Sequence, residues 1–426
     1  MSKPVNLESK RGNRLASADK KSPPNSAGQQ RKPRVVLALQ GGGALGAYQA
    51  GVYQALHENE LAPEWVVGTS IGAINAALIA GNEPALRLQR LREFWREVSQ
   101  RDVLSLELIP DIAKAPDWAQ RFNVLNATAR AMTHGISKFF APRLFNPFAL
   151  GLPVAPEKAS FYDTAPLAAA LREMIDLDRI NAANAPGATR LTVSSVQVTT
   201  AQLVHFDSRF RELGIEHILA SGAIPPGFPP VRIDGELYWD GGLYSNTPLE
   251  TVLEDQPRVD TLCFMVDLWF ADGFEPKTYD QVQARQKAVM FSSRSERHID
   301  AFNEKHALRR QLRALYDKLP PELQNDPEVR KFNAAGCDTS MHIVRLQYPG
   351  HDWHTSSKDI NFSAGSIEWR WQQGYQDALR ALAQPLWHDD YAPEQGIVVH
   401  DIRRDDAAAE DGSPAQSPMA ASAAAR

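Results

Sequence analysis

Cysteine is scarce: Cys263 and Cys337 are the only two in 426 residues. That is too few for a disulfide framework, and without a secretory leader both are expected to be reduced. Long hydrophobic runs are also missing. The most apolar stretch, residues 66–80, is too short to cross a bilayer and carries a serine at 70, so it reads as core. No spacing of His or Cys suits a metal ion, and no cofactor is expected. Residues 1–34 lack an apolar h-region, so no signal peptide is read there. They hold nine Lys or Arg against two acids among Pro, Ser, Gly and Gln, the composition of a disordered basic tail. A solvated tail is the plain reading, and contact with anionic lipid the sharper one. Taking that +7 from the total of −5 leaves −12 for the rest, which argues against nucleic acid as a partner. The expected location is cytoplasmic, with peripheral membrane contact as the further option.

What is present is ample apolar sequence, 43% of residues, enough to bury a large core in two to three domain-sized units. Two glycine-framed turns stand out near the start, Gly41-Gly42-Gly43-Ala44-Leu45-Gly46 and Gly68-Thr69-Ser70-Ile71-Gly72, their first glycines 27 positions apart. Each follows a short apolar run that reads as a buried strand, 35–40 and 65–67, and each precedes a helical stretch rich in small residues. The first turn offers backbone N–H groups with no Cβ to keep an anionic oxygen away. Gly41, Gly43 and Gly46 satisfy GxGxxG, so that oxygen could belong to a dinucleotide pyrophosphate or to a tetrahedral acyl intermediate. A dinucleotide site wants an acid at the end of the second strand to hold the ribose. Here that strand runs into Gly68-Thr69-Ser70, which favours the acyl reading.

Ser70 sits in a GxSxG pattern, where Gly68 and Gly72 leave room for the sharp bend that projects a serine hydroxyl from the top of a sheet. The helix after it, 71–81, is apolar nearly all round and should be buried, its N-terminal dipole aimed at Ser70. A third element, Glu236-Leu237-Tyr238-Trp239-Asp240-Gly241-Gly242, is a strand-like run ending in an acid and two glycines. Asp240 is the best candidate base, although Asp-Gly alone would be an ordinary turn signal. The Pro-rich crossing at 220–230 reads as a wall of the site or as a connector.

A glycine box, a GxSxG elbow and an Asp-Gly-Gly motif in this order resemble the patatin-like phospholipase family over roughly residues 35–250. The resemblance implies a three-layer α/β/α patatin-like fold with a central, mostly parallel sheet. It also implies a Ser-Asp dyad that hydrolyses acyl esters of lipids without histidine. Carried over to this chain, Ser70 is the nucleophile, Asp240 the base, and the backbone at Gly41, Gly42, Gly43 and Gly46 the oxyanion motif. Gly68 and Gly72 frame the elbow, and Gly241 and Gly242 follow the acid. Leu45 stands where many members have Arg or Lys, so any help from a cation there is lost. The run His351-Asp352-Trp353-His354 through Ser363 resembles a C-terminal domain found in a group of bacterial members. A lipid or other acyl ester is the implied substrate.

Such a dyad works by acyl transfer through an acyl-serine. An aspartate, whose carboxyl ordinarily titrates at about pH 3.9, can serve only if held close to the serine and desolvated. The rival within hydrolases is a Ser-Asp-His triad, with His351 or His354 in a loop after the strand-like run 341–348. A rival of another class is a lipid-binding or partner-binding module that keeps the fold without catalysis.

Five segments follow from these readings: a tail at 1–34, a catalytic domain at 35–250, a cap within it at about 100–160, a helical or mixed C-terminal extension at 251–400 packed on the catalytic domain, and a tail at 401–426. The cap reading rests on the aromatic, Pro-broken stretch 139–150, for which a packed connector is the alternative. Residues 163–175 repeat Leu167, Leu171 and Ile175 with helical spacing. Strand-like runs fall at 191–198, 203–207 and 261–266, and a helix ends near 219. Residues 279–319 read as one long helix or two, with mixed charges that suit a solvated face or a membrane surface. In the last helix, 366–382, the stripe Ile367, Trp371, Tyr375 and Leu379 predicts packing against the catalytic domain.

Overall fold

The computed structural model describes residues 32–102, 117–271, 273, 275–292, 295–350, 356–385, 387 and 396–402. The tails 1–31 and 403–426, part of the expected cap at 103–116, and both His351 and His354 lie outside the described residues.

The chain runs β1 (Arg34–Leu39), α1 (Ala47–Glu58), β2 (Trp65–Gly68), α2 (Ile71–Ala80), α3 (Pro84–Val98), α4 (Asp117–His134), β3 (Ala141–Pro142), β4 (Tyr162–Asp163), α5 (Ala165–Met174), α6 (Leu177–Asn181), β5 (Arg190–Gln197) and β6 (Leu203–Asp207). It continues through α7 (Ile215–Ser221), β7 (Val231–Ile233), β8 (Glu236–Asp240), α8 (Leu249–Glu254), β9 (Thr261–Asp267), α9 (Tyr279–Phe291), α10 (Ser295–Asp317), α11 (Pro321–Gln324), α12 (Pro327–Ala335), β10 (Met341–Gln347), α13 (Ala364–Ala383) and β11 (Ile397–Ile402). The charged stretch after residue 278 is therefore two helices, α9 and α10.

One sheet holds the molecule together, in the order β11-β10-β9-β1-β2-β5-β8-β7, with β6 beside β5. From β11 to β5 the strands are parallel, while β6 and β8 run antiparallel to β5. β1 lies between β9 and β2 and is covered on both faces, which is why its sequence, RVVLAL, is apolar without alternation. Val35, Leu37 and Leu39 face a layer built from α1, α2 and α13, whereas Val36 and Ala38 face α8 and Ile299 of α10. This gives the α/β/α sandwich that the motifs imply.

The sheet crosses residue 250 without a break, since β9, β10 and β11 extend it beyond β1. On its face, α13 lies against α1 at very close range. A Cβ on Gly51 would strike the Trp371 carbonyl and one on Gly374 the Tyr48 carbonyl, so the two backbones meet through glycine. Ile367 and Trp371 are buried in this contact, with Tyr375 and Leu379 packed at its margin.

Strand pairing also explains how two distant motifs meet. β6 occupies one edge of β5, so β2 and β8 share the other, β2 along residues 190–193 and β8 along 195–197. Gly68 lies opposite Val193 and Asp240 opposite Ser195. The end of β2 and the end of β8 are thus brought together on a single edge.

Candidate active site

The turn after β2 takes the strained form expected of a nucleophile elbow. Ser70 has φ 57° and ψ −125°, a conformation costly for a residue with a side chain, and it caps the all-buried helix α2. A Cβ on Gly72 would press into the Leu39 carbonyl and one on Gly68 into Gly72, so both framing glycines are required by space. The Ser70 N–H is taken by Ser221, whose carbonyl lies at 3.0 Å and hydroxyl at 3.2 Å. The Ser70 side chain lines the same cavity as Asp240, close enough for its hydroxyl to pull the Asp240 pKa down.

Asp240 is buried, at 2% exposure. Its Oδ1 accepts the Gly242 N–H at 2.8 Å, which is what the glycine after the acid supplies. Burial drives its pKa up to about 7, against the opposing pull of the Gly242 N–H and the Ser70 hydroxyl. No cation is among the groups that set it. The carboxyl is thus tuned from an ordinary weak base to one matched to neutral pH.

The glycine turn after β1 is anchored from three sides. The Gly41 N–H donates to the Asn246 carbonyl at 3.2 Å, and the Gly41 carbonyl accepts from Asn246 Nδ2 at 3.1 Å and from Trp269 Nε1 at 3.0 Å. Gln40 Oε1 accepts the Leu268 and Trp269 N–H groups, and its Nε2 donates to Thr247 Oγ1 at 3.0 Å. Gly41 therefore commits its N–H within the fold, contrary to its expected place among the oxyanion donors. Gly42 and Gly43 meet no hydrogen-bond acceptor among the described residues and line the same cavity as Ser70. Gly43 has φ 56°, a left-handed conformation that favours glycine. Gly46 serves packing, since a Cβ there would collide with Ile71.

The cavity that holds Ser70, Asp240, Gly42 and Gly43 measures about 420 Å³. Its remaining wall is almost wholly apolar, led by Ile74, Phe139, Phe140, Leu167, Phe228 and Phe362. Phe139, Phe140, Tyr162 and Phe228 pack ring against ring, with centroids 4.9 to 6.3 Å apart. Of the aromatic stretch 139–150, the first two residues form this wall, while Leu144 and Phe145 stand 90% and 98% exposed. Pro226, Gly227 and Phe228 bring the Pro-rich crossing into the wall as well.

Sequence reading missed Asn246 and Trp269, and took in Ser221 and Asp359 only as members of the 220–230 crossing and the 351–363 run, without a role for either; all four hold or line the turns. Only Asn246 had a local signal, lying four residues after the Gly241-Gly242 pair. Among the described residues no group of three or more His, Cys, Asp or Glu comes together to hold a metal.

A family model described as patatin-like phospholipase matches residues 37–253, just over half of the chain, and a second, described as patatin phospholipase, matches residues 289–394. Among curated proteins, uncharacterized NTE family proteins of Mycobacterium bovis and Mycobacterium tuberculosis are 39% identical over 83 residues, covering 20% of this chain and 22% of each relative. The chain thus matches less than a quarter of the length of those relatives. Among solved structures, VipD from Legionella pneumophila aligns at TM-score 0.38 and 16% identity over 86% of this chain and 72% of its own. Human GIVD cytosolic phospholipase A2 aligns at TM-score 0.34 and 11% identity over 84% and 61%.

Proposed function

Because the chain belongs to the patatin-like phospholipase family, we propose that it is a serine lipid acyl hydrolase, of phospholipase A, lysophospholipase or esterase type, that works through Ser70 and Asp240. The observation that carries the reading is Ser70, set on a strained elbow, lining one apolar cavity together with the buried carboxyl of Asp240. Ser70 Oγ attacks the ester carbonyl carbon while Asp240 accepts its proton. The carbonyl oxygen becomes an oxyanion and accepts from the Gly42 and Gly43 N–H groups. Collapse expels the alcohol, which takes the proton back from Asp240 and leaves an acyl-serine. Water, deprotonated by Asp240, then releases the fatty acid and restores Ser70.

The cavity suits an acyl chain packed among Phe139, Phe140, Phe228 and Phe362. Residues 117–160 of the expected cap cover the acyl chain in this reading, with Met132, Phe139 and Phe140 turned to it. The exposed Leu144, Phe145 and Leu150 belong to the same stretch and suit peripheral contact with a lipid surface. No helix among the described residues is long and apolar enough to cross a membrane.

A panel of long-chain phospholipids, lysophospholipids and acylglycerols, with released fatty acid read by mass spectrometry, tests the reading. Turnover of at least one class is expected; no fatty acid from any class would favour a binding module over an enzyme. With the active ester in hand, kcat/KM should rise with pH through about 7 and level off above it, because only ionised Asp240 can take the Ser70 proton. A flat profile between pH 5 and 9 would contradict Asp240 as the base. Double replacement of His351 and His354 should leave kcat within about threefold of wild type, whereas a triad would lose roughly a thousandfold or more.

A further inference from the structure

The segment from Ser356 to Phe362 lies far along the chain from the glycine turn, yet it is bonded directly to it. The Asp359 carbonyl accepts the Ala44 N–H at 2.8 Å. Arg370, fully buried in α13, donates to the Ala44 carbonyl at 3.2 Å from 326 positions away. The same guanidinium holds the carbonyls of Asn361 at 2.8 Å and Lys358 at 2.9 Å, so one side chain ties the segment to the turn. Asp359, Ile360 and Phe362 then form part of the cavity wall.

Ala44 follows the two glycines whose N–H groups remain open to the cavity. With the Ala44 N–H fixed on Asp359 and its carbonyl on Arg370, the two peptide planes that flank Ala44, Gly43–Ala44 and Ala44–Leu45, have little freedom to rotate. Lys287, on α9, completes the strap. Its Nζ donates to both Asp359 carboxylate oxygens, at 2.8 and 3.0 Å, and to the Ser356 carbonyl at 2.8 Å. Both side chains of the pair are partly exposed, at 27% and 20%. Such a pair adds little to global stability, so its geometry is better explained by what it orients.

We propose that Lys287 is a positioning residue for catalysis, acting through Asp359 on the glycine turn. The segment 356–362, within the C-terminal part matched by the second family model, thereby completes the oxyanion site. This rests on the acyl-hydrolase reading above. The strap aims the Gly42 and Gly43 donors at the point where negative charge develops, and a small rotation of the turn would spoil that aim.

The test compares wild type with Lys287→Met, Lys287→Arg and Asp359→Asn in the full chain, reading kcat, KM, thermal midpoint, pH profile and the rate of labelling by an alkyl fluorophosphonate. Lys287→Met should lower kcat and the labelling rate together by roughly tenfold to a hundredfold. KM should stay within about threefold and the apparent pKa of about 7 should be unchanged, since Asp240 is not touched. Lys287→Arg should recover most of the rate, and Asp359→Asn should reproduce the loss. Equal kcat per titrated active site in wild type and Lys287→Met overturns the inference, as does a loss that follows the folded fraction alone. If Lys287→Met does not fold, Asp359→Asn with wild-type kcat overturns it equally. A wild-type protein that neither labels nor turns over any ester refutes the acyl-hydrolase reading itself, and the inference with it.

Discussion

Ser70→Ala should abolish ester hydrolysis in folded protein, a fall on the order of ten-thousandfold or more. In the proposed mechanism the cause is the loss of the attacking group: Oγ sits on an elbow with φ 57°, in the cavity that Asp240 also lines. Ser221, beside it, cannot replace it, because it is buried with its hydroxyl donated to the Ser194 carbonyl at 2.7 Å. Global structure should persist, since the Ser70 N–H stays on Ser221 and the framing glycines are unchanged. Steady-state hydrolysis checked alongside circular dichroism makes the comparison. Native-like Ser70→Ala protein with near wild-type turnover would remove Ser70 from the mechanism.

Asp240→Asn should cost activity on a similar scale, roughly a thousandfold or more, while making the protein more stable above neutral pH. An amide cannot accept the Ser70 proton, yet its oxygen can still receive the Gly242 N–H. The stability effect follows from the direction of the shift. Burial raises the carboxyl from its ordinary value of 3.8 to about 7 in the folded state. Between those values the folded protein holds a proton that the unfolded chain has released, so stability falls as pH rises through that window. The cost of ionising Asp240 in place is fully present above about pH 7 and amounts to a few kcal/mol. The substituted amide never ionises and escapes it. Denaturant unfolding at pH 5 and pH 8.5 should therefore show Asp240→Asn gaining on wild type as pH rises. A gap that stays constant or narrows toward high pH would contradict a buried, strongly shifted carboxyl. In the proposed mechanism function is held against stability, a common arrangement where a base must work in a dry site.

The candidate site was legible in the sequence because its parts are local. A strand, a glycine turn and a small-residue helix stand in order around both Gly41 and Ser70, and Asp240 ends its own strand beside two glycines. Helix periodicity likewise reveals the Trp371 stripe, whose partner proves to be α1. What local pattern could not give is long-range pairing. Nothing near Asp240 says that β8 continues the edge of β5 where β2 stops. Nor does anything near residue 341 say that β10 joins β9 in the central sheet, since parallel partners are unrelated in sequence position. The aromatic stretch 139–150 was ambiguous because composition does not tell which rings turn inward: Phe139 and Phe140 do, and Phe145 does not. The same limit hid the commitment of the Gly41 N–H to Asn246 and the strap from Lys287 through Asp359 to Ala44. Those contacts depend on three-dimensional approach alone.

The central claim is that Ser70, activated by Asp240, forms the covalent acyl intermediate. Peptide-mapping mass spectrometry after reaction with an alkyl fluorophosphonate tests it most directly, because the same Oγ attacks the probe's phosphorus, forming an Oγ–P bond as the P–F bond breaks and fluoride leaves. One phosphonyl group per chain, confined to the peptide that contains Ser70, is the expected result. An unlabelled folded protein, or a stoichiometric adduct on any other residue, would contradict it.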